Sequence, residues 1–140
     1  MADQSALFPI TDATVLDAYA LVFAPWVKAL GLCEFSVRHG YASARLPQSK
    51  DLQFIGGAIC GQAIMAAIDT VAAIAMQTTD RQTKGTVYQH THFLRPAAND
   101  DFRVEATVLR FGKATAYAEA KVNSIATGVL VAHAVLEFAF

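Results

Sequence analysis

The sequence predicts an α+β fold in which an antiparallel sheet of about six strands wraps one long central helix. Three observations carry this. The stretch from Phe54 to Met76 is apolar almost throughout, opens on Gly56, Gly57 and Gly61, and holds a single charge, Asp69. Segments of strand character flank it, two before and four after. One of them sets Ala114, Ala116, Ala118, Ala120 and Val122 on one face against Thr115, Tyr117, Glu119, Lys121 and Asn123 on the other. A strand whose inward side chains are methyl groups lets another element come close. The long stretch is itself alanine-rich (Ala58, Ala63, Ala66, Ala67, Ala72, Ala73, Ala75), so helix and sheet can meet nearly backbone to backbone. A helix with almost no polar face is expected to be buried nearly all round.

Taken in order, residues 1–10 read as a loose arm. Thr11 or Asp12 can cap a helix that runs to about Phe23, with Val15, Leu16, Tyr19, Val22 and Phe23 at helical spacing. Pro25 restarts it as a short second turn that Gly31 stops. Leu32 to Arg38 and Tyr41 to Leu46 form a strand pair about the His39-Gly40 turn. Pro47 to Asp51 is a polar loop. The central helix is predicted over Ala58 to Thr78, followed by the polar run from Gln77 to Lys84. Strands then run from Thr86 to Arg95, Phe102 to Phe111, Ala114 to Ser124 and Val129 to Phe140, ending at Pro96, Gly112 and Thr127-Gly128. Phe102, Val104, Ala106 and Val108 alternate with Arg103, Glu105 and Thr107, giving each strand one apolar and one wetter face. No repeat, linker or low-complexity segment interrupts the chain, so 1–140 is read as one domain.

Apolar residues make up 54% and charged residues 16% of the 140. Such a surplus of apolar surface is ordinarily buried between subunits. A net charge of −1 offers no basic face for nucleic acid. Cys33 and Cys60 have neither the number nor the spacing of a disulfide framework or a zinc site, which fits a reducing cytoplasm. The first residues show no basic segment followed by an apolar core, hence no secretory signal. Phe54 to Met76 is long enough for a bilayer span, but Asp69 at its middle would cost roughly 2.5–3.5 kcal/mol on insertion. Gln62 and four amphipathic strands argue the same way, so no membrane association is expected.

Asp69 is the residue that asks for a purpose. A carboxylate inside an apolar helix is costly unless it is paired or used, and it lies too far along to cap the helix. A salt bridge to a buried arginine or across a subunit contact would explain it structurally. Gly61 and Gln62 open the helix, where the first N–H groups lack internal partners and carry the positive end of the dipole. Such groups can stabilise an oxyanion, or merely close a turn. Cys60 beside them is a conceivable nucleophile, although no histidine is near in sequence and a free cysteine is ordinarily a small buried apolar residue. His90 and His92 share a strand face, with His133 the one further histidine to nominate. Two imidazoles fall short of a metal site, so no metal is expected. Arg95, Arg110 and Lys113 stand at strand ends, either as solvated charges or as partners for phosphate.

From Pro25 to Phe140 the sequence resembles the hotdog-fold acyl-CoA thioesterases related to the phenylacetate-pathway enzyme (PaaI-like). Cys60-Gly61-Gln62 stands where that family has His-Gly-Gly at the helix start, and Asp69 falls on the acid seven residues beyond. His92-Phe93-Leu94-Arg95-Pro96 is similar to its Asn-Phe-Leu-Arg-Pro strand end. Leu109-Arg110-Phe111-Gly112-Lys113, with the long final strand through His133, supplies the third match. The resemblance implies a single hotdog domain and hydrolysis of an acyl-CoA thioester in a homodimer or dimer of dimers. In it, Asp69 acts as nucleophile or base across the subunit contact, and Gly61 and Gln62 hold the carbonyl oxygen. No cofactor is implied, since coenzyme A belongs to the substrate. Gln53, Phe54, Cys60, Arg95, Arg110 and Lys113 become candidate substrate contacts. The sequence departs from the family at Cys60, where a histidine stands, and at Phe54, where an Asn or Gln orients water. Gln53 can take that place if the loop shifts by one. An enoyl-CoA hydratase would need an Asp and a His at short spacing before the helix, which this chain lacks. A module that binds acyl groups without hydrolysing them is the other reading.

Overall fold

Alternation of small apolar and polar side chains lays the strands into one sheet in the computed structural model, which describes residues 5–140. The strands are β1 (Cys33–Arg38), β2 (Tyr41–Leu46), β3 (Gly85–Phe93), β4 (Phe102–Phe111), β5 (Thr115–Ser124) and β6 (Leu130–Ala139). They pair antiparallel throughout in the order β1-β2-β4-β5-β6-β3. Ala106 pairs with Ala120 and Ala120 with Ala134, while Val104 meets Val122. All five are fully buried, so a floor of short side chains crosses the middle of the sheet. The central helix α3 (Gly61–Met76) lies on that floor, chiefly over β4 and β2, with Ala67, Ile68, Val71, Ala72 and Ala75 completely enclosed. The expected hotdog arrangement is therefore present, with β1 and β3 left as the two open edges of the sheet.

Three expectations need correction. The helix is shorter than predicted at its start, because Ala58 and Ile59 are extended and bridge Ala98 and Gln53, and the Ile59 N–H donates to the Ala97 carbonyl at 3.0 Å. Nor is it buried all round. Gln62, Met65, Ala66, Asp69 and Ala73, spaced as one helix face, form a stripe that the sheet does not cover. The arm is also not loose up to residue 10. Residues 1–4 lie outside the described residues, but Ile10 is fully buried and its N–H donates to the Gln77 carbonyl at 2.8 Å.

The first helix, α1 (Val15–Val22), begins later than the candidate caps suggest. Asp12 is used elsewhere: its carboxylate accepts the Val37 N–H of β1 at 2.7 Å, pinning the helix entrance to the sheet edge. Pro25 does restart the chain, as α2 (Pro25–Lys28). The elbow between α1 and α2 is tied twice, by the Tyr19 hydroxyl to the Val27 carbonyl and by Lys28 Nζ to the Ala20 carbonyl, both at 3.0 Å. This elbow sits against the uncovered stripe of α3 and so takes part in the site.

Candidate active site

The helix start is chemically bare. Cys60 occupies the N-cap position but makes no side-chain capping bond, since a thiol is a poor substitute for Ser, Thr, Asp or Asn there. Its own N–H donates to the Leu52 carbonyl at 2.7 Å, and its carbonyl accepts Ile64 N–H, the first bond of the helix. Among the described residues the N–H groups of Gly61 and Gln62 have no acceptor. They remain available to an incoming oxygen at the positive end of the helix dipole. Gly61 is also tightly packed: a Cβ there would stand 3.2 Å from the Phe93 ring of β3, which would have to give way.

Asp69 lies two turns along, on the uncovered stripe. Among the described residues it has no ion pair, so an intrachain salt bridge does not account for it. Its one partner is Thr86 at the start of β3, whose hydroxyl donates to Oδ1 at 2.5 Å. Burial pushes its carboxyl above the usual carboxylate range, and the Thr86 hydrogen bond offsets part of that. An acid so placed holds its proton more tightly than in water, which suits a base working nearer neutrality.

A cleft of about 380 Å³ opens on this acid, lined by Phe23, Trp26 and Val27 of the α1–α2 elbow and by Gln62, Met65, Ala66, Asp69, Thr70 and Gln89. Its volume falls in the range of small-molecule sites. A second cleft of about 360 Å³ lies on the other side of the helix start, among Phe54, Ile59, Gly61, Ile64, Phe93 and Arg95. Gln62 and Asp69 thus share one cleft, while Gly61 and Phe54 open on the other. Cys60 is half-buried against the core. The Gln53 amide donates to Gln48 Oε1 at 2.9 Å, and Gln53 lines neither cleft.

The three basic candidates separate. Arg95 stands on the rim of the second cleft, where its guanidinium donates to the Leu130 carbonyl at 2.7 Å. Arg110 and Lys113 are exposed about the β4–β5 turn, beside Gly40 and hence at the C-terminal end of α3, which Thr78 joins to Gly40 at 2.8 Å. His90 and His92 face one another with Nε2 atoms 2.8 Å apart on the outer side of the sheet. His133 lies opposite His92 but is turned to Glu119 at 2.8 Å. Among the described residues no three side chains form a metal-holding group, and no helix is long and apolar enough to cross a membrane.

Sequence reasoning missed Thr86, Gln89 and the aromatic elbow. Thr86 is out of step with the alternation that turns Gln89 inward; a register shift between Thr86 and Tyr88 brings it under Asp69, and nothing local announces that shift. The Gln89 amide donates to the Met65 carbonyl at 3.2 Å, closing the strand side of the cleft. Helical spacing accounts for Phe23 and the turn after Pro25 for Trp26, so neither announces a cleft.

Comparison with known proteins agrees with the fold. The thioesterase superfamily model matches residues 56–130, more than half of the chain. Zebrafish thioesterase superfamily member 2 superposes with a TM-score of 0.84 at 21% identity, over 93% of this chain and 98% of the other. The PaaI protein of the Escherichia coli phenylacetic acid degradation operon superposes with a TM-score of 0.78 at 21% identity, over 90% and 96%. A hypothetical thioesterase of Streptococcus pneumoniae, solved with coenzyme A, gives 0.75 at 13% identity, over 81% and 88%. No curated protein matches the sequence. With the hotdog fold and the matched helix and strands in hand, this chain belongs to the thioesterase superfamily.

Proposed function

We propose that the protein is an acyl-CoA thioesterase that works as a homodimer, with each site built from two chains. The carrying observation is a partly buried carboxylate with no ion pair among the described residues, seven residues beyond Gln62 at an uncapped helix start, both on the stripe of α3 that the sheet leaves open. Seven residues of helix rise about 10 Å, whereas a carbonyl and its attacking group must both be met within about 3 Å. One helix therefore does not bring the two together along its length. A second α3 laid antiparallel on the stripe sets the partner's Asp69 beside this chain's Gly61 and Gln62. The open edge of β3 supports such an arrangement, since an unpaired strand edge invites a second strand.

In this reading the thioester oxygen rests on the N–H groups of Gly61 and Gln62, which hold the negative charge that develops when the carbonyl is attacked. Asp69 either takes the proton of the attacking water or attacks directly, and both roles need it ionised. Collapse of the tetrahedral adduct breaks the carbon–sulfur bond. In the water route the proton taken by Asp69 passes to the departing thiolate of coenzyme A, and the carboxylic acid is released. In the direct route the acyl group remains on Asp69 as an anhydride, which water then hydrolyses, its two protons going to the thiolate and the medium. Arg95, on the rim of the second cleft, would meet the nucleotide phosphates. Arg110 and Lys113, at the far end of their own chain, would approach the substrate only from the second copy. The coenzyme A held by the streptococcal neighbour supports the ligand class.

Hydrolysis is tested by thiol release across short, long and aromatic acyl-CoA esters. Release above the spontaneous rate with at least one ester is expected. Binding without release would select the alternative, an acyl-group-binding hotdog protein. That alternative is favoured by Phe54 and by the engagement of the Gln53 amide with Gln48, which keep the loop before the helix from offering its amide to the Asp69 cleft.

Thr86 gives a second check. Its donated hydrogen bond favours the ionised carboxylate, so Thr86→Val raises the Asp69 pKa further. The acid limb of the kcat/KM profile is expected to move to higher pH, and Thr86→Ser to bring it back. A limb unmoved by Thr86→Val would show that Asp69 does not set it.

A further inference from the structure

We propose that the α1–α2 elbow, through Trp26 backed by Phe23 and Val27, forms the acyl-binding wall of the site and sets its preference for longer, apolar acyl groups. The inference rests on the thioesterase reading and adds the part of the substrate that is recognised. Three features of the cleft support it. Its floor carries Asp69, so an occupant lies against the catalytic acid. Its opposite wall is aromatic and aliphatic, and Met65 and Ala66 face it from the helix. Of the residues lining it, Asp69 alone carries a charge, so the wall recognises a hydrocarbon and not the nucleotide end of coenzyme A.

The exposure of Trp26 is the telling detail. The residue is 64% exposed although the backbone around it is held by the Tyr19–Val27 and Lys28–Ala20 hydrogen bonds. A large aromatic side chain on a braced turn at the mouth of an apolar cleft is preorganised to cover an apolar group. Each methylene laid under it adds favourable burial, whereas an acetyl group reaches little of it. The chain that provides Asp69 also provides the wall, so the acyl group and the catalytic acid belong to the same protomer.

Trp26 is the sole tryptophan of the 140 residues, and its emission reports the wall directly. S-octyl-CoA, a thioether that cannot be hydrolysed, is titrated into the wild-type protein with coenzyme A as control. A blue shift that saturates with S-octyl-CoA and is absent with coenzyme A is expected. In parallel, Trp26→Ala should lower the ratio of kcat/KM for octanoyl-CoA over acetyl-CoA by about tenfold, with Trp26→Phe restoring part of it. An unchanged ratio, or an emission indifferent to the octyl chain, overturns the proposal. So does an emission that already depends on protein concentration and ignores the thioether, for then a second copy fills the cleft. Saturable S-octyl-CoA binding without hydrolysis of any ester would leave the wall standing and remove the thioesterase reading.

Discussion

Asp69→Asn is expected to lower thiol release about 10³-fold, within the range lost when a positioned base is removed, while the protein melts no lower than wild type at neutral pH. The two readouts move apart for one physical reason. Burial holds the Asp69 pKa above its unfolded value, so folding favours the protonated acid. The stability that this group contributes is fully present below the unfolded pKa and is lost as pH rises through the folded one. Above its folded pKa the wild type carries an ionised carboxylate in a partly apolar cleft, and asparagine removes that charge while its Oδ1 still accepts from Thr86. A melting temperature equal to wild type or higher by about 3 °C follows at neutral pH, and the difference should shrink towards acid. Melting curves over pH, beside a thiol-release assay, make the comparison. A variant that hydrolyses normally would sink the catalytic role. One that melts lower at neutral pH would show that Asp69 is held by a cation of a second copy, the structural role that its own chain does not supply.

Gln62→Pro and Asp69→Asn, each nearly inactive alone, are expected to restore about a quarter of wild-type activity when co-expressed. Proline is tolerated in the first turn of a helix, where its missing N–H has no helical partner, and Gln62 is the second residue of α3. The substitution removes one donor to the developing oxyanion, a loss of about 10²–10³ in kcat. In a heterodimer, one site combines Asp69 from the Gln62→Pro chain with intact N–H groups from the Asp69→Asn chain. The other site carries both lesions. Random pairing makes about half the dimers mixed, each with one good site of two, hence about a quarter. A site contained within one chain would give no recovery, because each chain then keeps its own lesion. Circular dichroism of Gln62→Pro alone checks that α3 is retained.

The order of elements and the character of their faces were legible in the sequence because both depend on local chemistry. The alternation in Phe102–Phe111 and Thr115–Ser124 reports the period of a strand whatever its neighbours. Asp69 also stood out without a fold, since one carboxylate in so apolar a run is conspicuous. The helix limits were less legible. Ala58 and Ile59 have good helical character, yet their backbones bond to Gln53, Ala97 and Ala98, partners distant in the chain or across a tight turn.

Composition made α3 look buried on every side, but hydropathy cannot say which side the chain itself covers. That was decided by the width of the sheet and by the elbow of α1 and α2, which together leave Gln62, Met65 and Asp69 partly open. Residues met across tertiary space were beyond local reading: Thr86 under Asp69, Phe93 on Gly61, and Trp26 at the mouth of the cleft. By itself, the sequence determined an α+β chain with an alanine floor, a greasy helix and a single acid to explain, because periodicity and the cost of a lone charge are properties of the residues. Only the tertiary structure decided that this acid stands without an ion pair among the described residues, beside a threonine and an apolar cleft. Strand register and helix docking, which no single segment encodes, set those neighbours.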